Sequence, residues 1–334
     1  MRDCVTLPYN DRKPLPTPAL PASQPLKVLF FSHDGKLGDA VVNTAFVAAL
    51  KNWDPLCEIH VTTAGPTTAF WTADERITRI WPLPRRKWRD IVRLGLALRR
   101  ERICHIVTWL RARSEKNRVL LWLAAPGQVV DLRDFNAGPI RPKIEACGAA
   151  LAQIGAPLRP LAYDVRLAAS GPVIDAGLSN RSFILINLYA ADRERNIDNK
   201  TGAHLLRKLR AAMPGAVLGV LCCAASLERA RAAVHEAGTG EIVNCDGDLA
   251  RLFRVCRQAD AVISTDTSVV HIASAFDTPV VGIYQNDGVK PLRWGPRGTA
   301  TATVMSASAL DVQGFDVDEV VGHVLAFRRR IRRA

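Results

Sequence analysis

The feature that most constrains the fold is a buried-strand pattern that passes through a glycine turn into an apolar helix. Residues 28–31 are all apolar, the turn contains Gly35 and Gly38, and a helical pattern begins at Asp39. A strand without a polar face is typical of a parallel sheet that helices cover on both sides. Ligands of such sheets bind beyond the carboxyl ends of the strands, so Asp39 is predicted to face a binding cleft.

Strand and helix patterns alternate along the whole chain, which predicts an α/β protein. In the first half, strands are predicted at residues 28–32, 58–63, 76–81, 103–109 and 128–131. Helices are predicted between and after them, at residues 39–51, 87–102, 114–124 and 142–155.

The alternation stops at residues 156–180, which are rich in Pro, Gly, Ala and Ser, and then restarts. Strands are predicted at residues 182–188, 217–222, 241–244, 261–264 and 279–284. Helices are predicted at residues 201–213, 226–237, 247–258 and 268–276, and a last one at 316–333 could cross back to the first domain.

A chain of 334 residues suits two domains better than one. We therefore predict two Rossmann-like domains with parallel sheets facing a central cleft. The predicted limits are a Pro-rich extension at 1–26, the first domain at 27–155, a linker at 156–180, the second domain at 181–315, and a helix with an Arg-rich tail at 316–334.

The net charge of +13 favours an anionic partner. Positive charge and aromatic residues are concentrated in one segment, at Arg85, Arg86, Lys87, Trp88, Arg99 and Arg100. Such a helix can lie at an anionic membrane surface, although a solvated helix face has the same pattern. No recognised nucleic-acid-binding motif accompanies the charge, so nucleic acid is not an expected partner.

Other sequence signals restrict the cellular setting. No apolar run approaches the roughly 20 residues of a membrane helix. The first 25 residues lack the apolar stretch of a signal peptide. The eight cysteines form no CxxC pair, so neither a zinc site nor a disulfide framework is expected. A reducing cytoplasm is the predicted compartment.

The glycine turn does not fit a nicotinamide-dependent enzyme. Its glycines, Gly35 and Gly38, do not have G-x-G-x-x-G spacing, and the second strand ends at residues 61–65 without a carboxylate. Asp39 has two interpretations from its position alone: a functional carboxylate, or an ordinary helix N-cap.

Three further segments follow predicted strands of the second half. The turn Asp266, Thr267 and Ser268 begins a helix whose free amides suit phosphate, although capping alone explains Asp266 or Thr267. His271 lies within that helix and is more typical of a packed residue than of a ligand. The loop at 187–200 carries Arg193, Arg195 and Lys200, and the loop at 292–296 carries Arg293 and Trp294.

Together these motifs resemble glycosyltransferase family 9, the heptosyltransferase-like enzymes of lipopolysaccharide core assembly. The family's Leu-Gly-Asp turn matches residues 37–39, and its Asp-Thr-Gly turn followed by His matches Asp266, Thr267, Ser268 and His271. Its Gly-Thr-Pro-Val-Val and Arg-Trp-Gly-Pro motifs correspond to residues 277–281 and 293–296.

The resemblance implies a GT-B fold, with the acceptor mainly on the first domain and a nucleotide-diphosphate sugar on the second. It implies inverting transfer without a metal or other cofactor, with Asp39 as the catalytic base. It also implies donor or phosphate contacts at Gly38, Lys200, Asp266, Thr267 and Ser268. Glu228 falls near the family's nucleoside-contacting Glu, and His271 and Arg293 are further candidate contacts in the cleft.

The sequence departs from the family pattern in the donor-binding motifs. Ser268 replaces the usual Gly, Thr265 replaces Asn or Gly, and the loop before Lys200 lacks the Pro-Gly-Ala and Trp pattern. These differences concern the donor more than the reaction class. Two alternatives stay open: an inactive nucleotide-sugar or glycan-binding protein on the same scaffold, and a sugar-nucleotide epimerase.

The leading hypothesis is a glycosyltransferase that moves a heptose from ADP-heptose to a lipopolysaccharide core or a related lipid-linked glycan. With the basic segment as a membrane contact, the enzyme is expected to be cytoplasmic and peripheral at the inner face of the inner membrane.

Overall fold

The structure is a computed structural model that describes residues 25–31, 35–83, 85–109, 114–132, 135, 138–167 and 181–331. The predicted extension up to residue 24, most of the predicted linker (168–180) and residues 332–334 of the predicted tail lie outside the described residues. The chain forms two compact units. The first comprises Met1–Gly35, Ala45–Pro139 and Ile144–Leu161, and the second comprises Lys36–Thr44, Ile140–Lys143 and Ala162–Ala334.

The first unit contains a 5-stranded parallel sheet in the order β3-β2-β1-β4-β5. Its strands are β1 (Lys27–Phe31), β2 (Glu58–Thr63), β3 (Ile77–Pro82), β4 (His105–Thr108) and β5 (Gln128–Asp131). The helices that follow them are α1 (Leu37–Trp53), α2 (Pro66–Thr72), α3 (Trp88–Glu101), α4 (Glu115–Ala124) and α5 (Lys143–Gln153). The predicted α/β class is confirmed.

Helices α3 and α4 cover one face of this sheet and are in close contact at Gly95. A Cβ at Gly95 would lie 2.6 Å from the Cβ of Leu123 and 3.2 Å from the carbonyl oxygen of Leu120. The α3 side chains Ile91 and Leu98 are fully buried against β1 and β4. Hydrophobic burial therefore fixes the inner face of α3 and leaves its basic outer face in solvent.

The second unit contains a 6-stranded parallel sheet in the order β11-β10-β9-β6-β7-β8. The strands are β6 (Phe183–Asn187), β7 (Val217–Cys222), β8 (Glu241–Asn244), β9 (Ala261–Thr265), β10 (Val280–Tyr284) and β11 (Thr301–Met305). The helices are α6 (Asn199–Ala212), α7 (Leu227–Ala237), α8 (Leu249–Gln258), α9 (Ser268–Ala275), α10 (Lys290–Trp294) and α11 (Val317–Ile331).

This strand order is that of a doubly wound nucleotide-binding sheet, and it reverses direction between β6 and β9. A ligand is expected to bind at such a switch point, beyond the carboxyl ends of these two strands. Five of the six strands of this unit include no exposed residue, whereas β8, at the edge of the sheet, begins and ends with exposed residues.

The structure contains elements that the sequence pattern did not predict, namely α2, α10 and β11. Each is short: 7, 5 and 5 residues respectively. Helix α2 contains three Thr residues, which are poor helix formers, and Pro66 supplies its favourable first position. The predicted strands and helices are otherwise present, with ends that differ by up to two residues.

The C-terminal helix α11 packs on the second sheet. Val320 and Val324 are fully buried in the same core as β6 and β10, and Lys208 of α6 forms an ion pair with Asp318 at 2.9 Å. This helix is therefore part of the second unit's core. Among the described residues, no helix combines the length and apolar character that crossing a bilayer requires.

Candidate active site

A pocket of about 1120 Å³ lies in the second unit, at the carboxyl ends of its central strands. Its walls come from the segments after β6, β7 and β9, from α10, and from the first turn of α1. All of these residues belong to the second compact unit, because Lys36–Thr44 group with it. The pocket occupies the position that the strand order predicts for a ligand.

Asp39 lines this pocket from the first turn of α1. The helix begins at Leu37, so Asp39 is already inside it and the N-cap interpretation is wrong. Its carboxyl group lies where the helix dipole favours negative charge. Asp39 is partly buried, so it is reachable from the pocket without being fully solvated.

Gly38 allows the beginning of α1 to approach helix α9 closely. A Cβ at this position would lie 3.2 Å from Cδ2 of His271 and 3.4 Å from Cα of Ser268. Asp39 and the N-terminus of α9 therefore line the same pocket, and the predicted donor-contact residues Gly38, Thr267 and Ser268 line it too.

The N-terminus of α9 is held by a network of side-chain hydrogen bonds. Thr267 is the N-cap: its Oγ1 accepts a hydrogen bond from the Val269 amide at 3.2 Å. Asn187, the last residue of β6, donates its Nδ2 to Thr267 Oγ1 and to Ser264 Oγ, both at 3.0 Å. Capping is thus confirmed for Thr267, and it fixes the helix N-terminus as a potential anion site at the switch point.

Asp266 is buried at the edge of the pocket beside Arg195. Arg195 donates Nη1 to the Asp266 carbonyl oxygen at 2.7 Å, and the same nitrogen lies 3.6 Å from Asp266 Oδ2. Burial raises the pKa of Asp266 above its ordinary value, whereas the positive charges of Arg195 and Lys290 oppose this shift. The guanidinium is therefore fixed at the pocket by a charge that is mostly shielded from water.

Lys200 has a different environment from Arg195. It is the second residue of α6, is exposed, and is not among the residues that line the pocket. The cations that do line it include Arg193 and Arg195 from a short 3-10 turn, Arg229 from α7, and Lys290 from α10. The phosphate contact of Lys200 stays a prediction; Arg195 was visible in the same loop, but sequence spacing did not distinguish the two.

His271 is 4% exposed and packs between aromatic rings at the base of the pocket. Its ring centroid lies 6.0 Å from that of Tyr163 and 5.8 Å from that of Trp294. Burial lowers its pKa to about 4, so the imidazole is neutral at pH 7. Its Nδ1 is buried and has no hydrogen-bond partner among the residues that the structure describes. A packed residue, as its helical position suggests, accounts for these observations.

Two other candidate contacts lie beside the pocket without lining it. Glu228 of α7 is largely exposed and pairs with Arg231 at 2.8 Å. Arg293 lies on α10, whose neighbouring residue Trp294 lines the pocket instead. Their predicted nucleoside or cleft contacts stay predictions. Three other residues that line the pocket belong to no motif of the resemblance, so the sequence pattern did not indicate them: Tyr189, Arg229 and Lys290.

The basic segment of the first unit is mostly exposed, with one exception. Arg85, Lys87, Trp88, Arg99 and Arg100 are exposed. Arg86 instead donates Nη2 to Asn117 Oδ1 of α4, and its carbonyl oxygen accepts a hydrogen bond from Lys116 Nζ at 2.6 Å. Burial lowers the pKa of Arg86, which therefore ties the loop before α3 to α4 rather than facing solvent.

A second cavity, of about 450 Å³, lies beside this segment. Its lining combines apolar side chains with charged ones. The apolar residues include Trp81, Leu83 and Leu94, and the charged ones are Arg85, Lys87, Arg89, Arg93 and Asp90. Among the described residues, the structure contains no group of three or more His, Cys, Asp or Glu side chains that could hold a metal ion.

Comparison with known proteins confirms the resemblance predicted from the sequence. Residues 163–313 match the model of "Glycosyltransferase family 9 (heptosyltransferase)". Among curated proteins, no sequence matches this chain.

Solved structures are similar over almost the whole chain. The family 9 glycosyl transferase from Veillonella parvula DSM 2008 has a TM-score of 0.74 at 12% identity, over 90% of this chain and 97% of that one. E. coli heptosyltransferase WaaC with ADP has a TM-score of 0.73 at 13% identity, over 90% and 100%. E. coli ADP-heptose lps heptosyltransferase II has a TM-score of 0.68 at 14% identity, over 92% and 100%. At these identities the likeness shows the fold, and the predicted GT-B class is confirmed.

Proposed function

We propose that this chain, a glycosyltransferase with a family 9 match over residues 163–313, moves a sugar from a nucleotide diphosphate to a lipid-linked glycan. The expected donor is ADP-heptose, and the expected acceptor is a lipopolysaccharide core. Transfer is expected to invert the anomeric configuration and to need no metal or other cofactor.

One observation carries the proposal: a carboxylate and a potential anion site line the same pocket. Asp39 lines it from α1, and Thr267 and Ser268 line it from the N-terminus of α9. A glycosyl transfer between a hydroxyl and a diphosphate needs both, because a proton must leave the nucleophile while negative charge grows on the leaving group.

Asp39 is proposed as the general base. A sugar hydroxyl is a poor nucleophile at neutral pH, and removal of its proton in the transition state contributes roughly 10²- to 10⁴-fold to the rate. The carboxyl group of Asp39 is partly buried in the pocket wall, which suits a base that must contact the acceptor hydroxyl.

The leaving diphosphate is proposed to bind at the N-terminus of α9, beside Arg195 and Lys290. Helix amides and a guanidinium are strong donors to phosphate oxygens. Arg195 is already oriented by Asp266 and Asp192, so little conformational freedom is lost when it binds an anion. This assigns to Arg195 the role that the resemblance predicts for Lys200.

The test is nucleotide release from a panel of nucleotide sugars that includes ADP-heptose, with and without core-truncated lipopolysaccharide. Wild type is compared with Asp39→Asn and with Asp318→Asn, which changes an exposed carboxylate outside the pocket. Acceptor-dependent release that Asp39→Asn lowers by roughly 10²-fold or more, while Asp318→Asn does not, supports the proposal.

Two other outcomes point to the alternative functions. Nucleotide binding without turnover of any donor would indicate a binding protein on the same scaffold. Conversion of a donor to its epimer without any acceptor would indicate an epimerase. Equal activity of Asp39→Asn and wild type would remove Asp39 from the catalytic role.

We further propose that the enzyme is cytoplasmic and contacts the inner face of the inner membrane through the outer face of α3. Trp88, Val92 and Leu96 are exposed at four-residue spacing, so they share one side of the helix. Arg89, Arg93, Arg99 and Arg100 of the same helix are exposed as well. Apolar residues flanked by cations suit an interface of anionic lipid headgroups.

A further inference from the structure

Tyr189 and Arg229 form a cation–π pair in the wall of the large pocket. Tyr189 lies two residues after the end of β6 and is 7% exposed. Arg229 lies in the first turn of α7, and its Cζ is 4.6 Å from the centroid of the tyrosine ring. Both residues line the pocket.

The pair lies on the opposite side of β6 from the anion site. Strand β9, which leads to Asp266 and the N-terminus of α9, borders β6 on one side, and β7, which leads to Arg229, borders it on the other. The pocket lining also includes Leu221 and Cys222, at the end of β7, and Leu252 of α8, which offer apolar surface. If a diphosphate binds at α9, a nucleoside is the group that would extend toward Arg229.

The chemistry of a guanidinium suits contact with a base. It is planar, delocalised and weakly hydrated, and it stacks on aromatic faces on either side. Tyr189 lies against the Arg229 guanidinium, and Arg229 is exposed and lines the pocket. The pair is therefore prearranged to accept a second aromatic ring.

We propose that Arg229 is the stacking surface for the nucleobase of the donor, and that Tyr189 is the positioning residue that holds its guanidinium. This inference rests on the proposed function, since it takes the ligand to be a nucleoside diphosphate. It adds a base contact at Arg229, the residue after Glu228, for which the resemblance implies a nucleoside contact.

The tyrosine acts through its ring rather than through its hydroxyl. The Tyr189 hydroxyl oxygen is buried and has no hydrogen-bond partner in the described part of the chain. Burial raises the pKa of this phenol to about 12, so it stays neutral. A neutral ring retains the negative face that attracts the guanidinium.

Isothermal titration with ADP, GDP, UDP and CDP identifies the tightest diphosphate, and variants of Arg229 then test the contact. Arg229→Ala is expected to lower the affinity for that diphosphate by about tenfold, the size typical of a base stack. Arg229→Lys is expected to lose as much, because an ammonium retains the charge but cannot stack as a plane. Inorganic pyrophosphate, which has no base, should bind all three proteins equally.

Arg231→Ala is the matched control. It lies two residues further along the same helix, pairs with Glu228 at 2.8 Å and does not line the pocket. Wild-type affinity in Arg229→Lys, or a parallel loss of pyrophosphate affinity in Arg229→Ala, would make the contact electrostatic and overturn the proposal. Where pyrophosphate binds too weakly to measure, the lysine variant decides alone.

Variants of Tyr189 test the positioning role. Tyr189→Leu should lower the affinity for the diphosphate as much as Arg229→Ala does, whereas Tyr189→Phe should keep the wild-type affinity. The double variant Tyr189→Leu/Arg229→Ala should bind the diphosphate no more weakly than either single variant. Additive losses in the double variant would contradict positioning. If no nucleoside diphosphate binds even wild type, the proposed function fails first; if one binds and Arg229 variants do not change it, only this inference fails.

Discussion

Two positively charged regions of this protein, the pocket of the second unit and the outer face of α3 in the first, differ in how their charges are held. In the second unit, Arg195 is fixed by Asp266 and Asp192, and Thr267 is fixed by Asn187 and Ser264. In the first unit, Arg99 and Arg100 extend from the outer face of α3 and are exposed. The first arrangement is typical of a site that must stabilise a specific transition state, whereas the second suits a surface that adapts to many headgroups.

This difference means that the same type of substitution should have different consequences in the two regions. A charge removed from the pocket should change catalysis and leave membrane binding alone. A charge removed from α3 should do the reverse.

The largest effect is expected from Arg195→Ala. Loss of one preorganised donor to a developing oxyanion costs about 10²- to 10³-fold in kcat. We expect a loss of this order in steady-state assays with saturating donor, and a clearly smaller one for Lys200→Ala, because Lys200 is exposed and outside the pocket. A larger loss of kcat in Lys200→Ala than in Arg195→Ala would show that Lys200 stabilises the leaving diphosphate.

Arg195 and Lys200 also show where sequence reasoning stops. The buried strands, the glycine turn and the Asp-Thr turn were readable because strand burial and helix capping are local properties. Which of three cations in the loop at 193–200 reaches the pocket depends on a 3-10 turn and on the helix start at Asn199. Neither of these features has a periodic signal in the sequence. The contact between Tyr189 and Arg229 was equally hidden, because it joins segments that follow two different strands.

Arg86 illustrates the same limit in the first unit. As part of a basic run it looks like its neighbours, yet its guanidinium contacts Asn117, 31 residues away in sequence. A long-range hydrogen bond of this kind cannot be inferred from charge patterning. The fold class, by contrast, follows from the alternation of elements, which hydrophobic periodicity reveals directly.

Charge reversal on α3 is the second prediction. Each cation near an anionic surface contributes about 1 kcal/mol, so Arg99→Glu/Arg100→Glu should lower binding to vesicles that contain anionic lipid by at least about tenfold. Co-sedimentation measures this, and Arg207→Glu/Lys208→Glu, on α6, provides the same change in net charge. Unchanged partitioning of the α3 variant would remove the membrane role of this surface.

The third prediction concerns pH and the buried histidine. His271 has a folded-state pKa of about 4, below its value in an unfolded chain near 6.5, because burial disfavours the charged form. The unfolded state therefore binds the proton first as pH falls, and stability is lost between about pH 6.5 and pH 4. This linkage contributes about 2 kcal/mol between pH 7.5 and pH 5.

Urea titrations at pH 7.5 and pH 5 measure this change in unfolding free energy. In His271→Gln the part of the pH dependence that comes from this residue should disappear, whatever the variant's absolute stability. An unchanged difference between the two pH values would show that His271 does not remain neutral in the folded protein. The activity of His271→Gln at pH 7.5 does not test this prediction, because the substitution also removes ring contacts with Tyr163 and Trp294.

The smallest effects are expected from two glycines, and they bring out the contrast between the regions most directly. Gly95→Ala forces a Cβ to within 2.6 Å of the Leu123 Cβ, between α3 and α4. Overpacking costs about 1–3 kcal/mol, while alanine's better helix propensity returns about 1 kcal/mol. A net loss of about 1 kcal/mol in unfolding free energy is expected, with the affinity for nucleoside diphosphate unchanged.

Gly38→Ala should show the opposite pattern. Its Cβ would meet His271 and Ser268 at 3.2 and 3.4 Å, a contact that shifts of a few tenths of an ångström can relieve. Stability should change by less than about 0.5 kcal/mol, but any such shift moves Asp39 relative to the N-terminus of α9. Because transfer requires the base and the leaving group in fixed alignment, kcat should fall by several-fold while donor affinity changes less. If Gly38→Ala instead lowers stability and leaves kcat intact, the close approach of α1 to α9 serves packing alone.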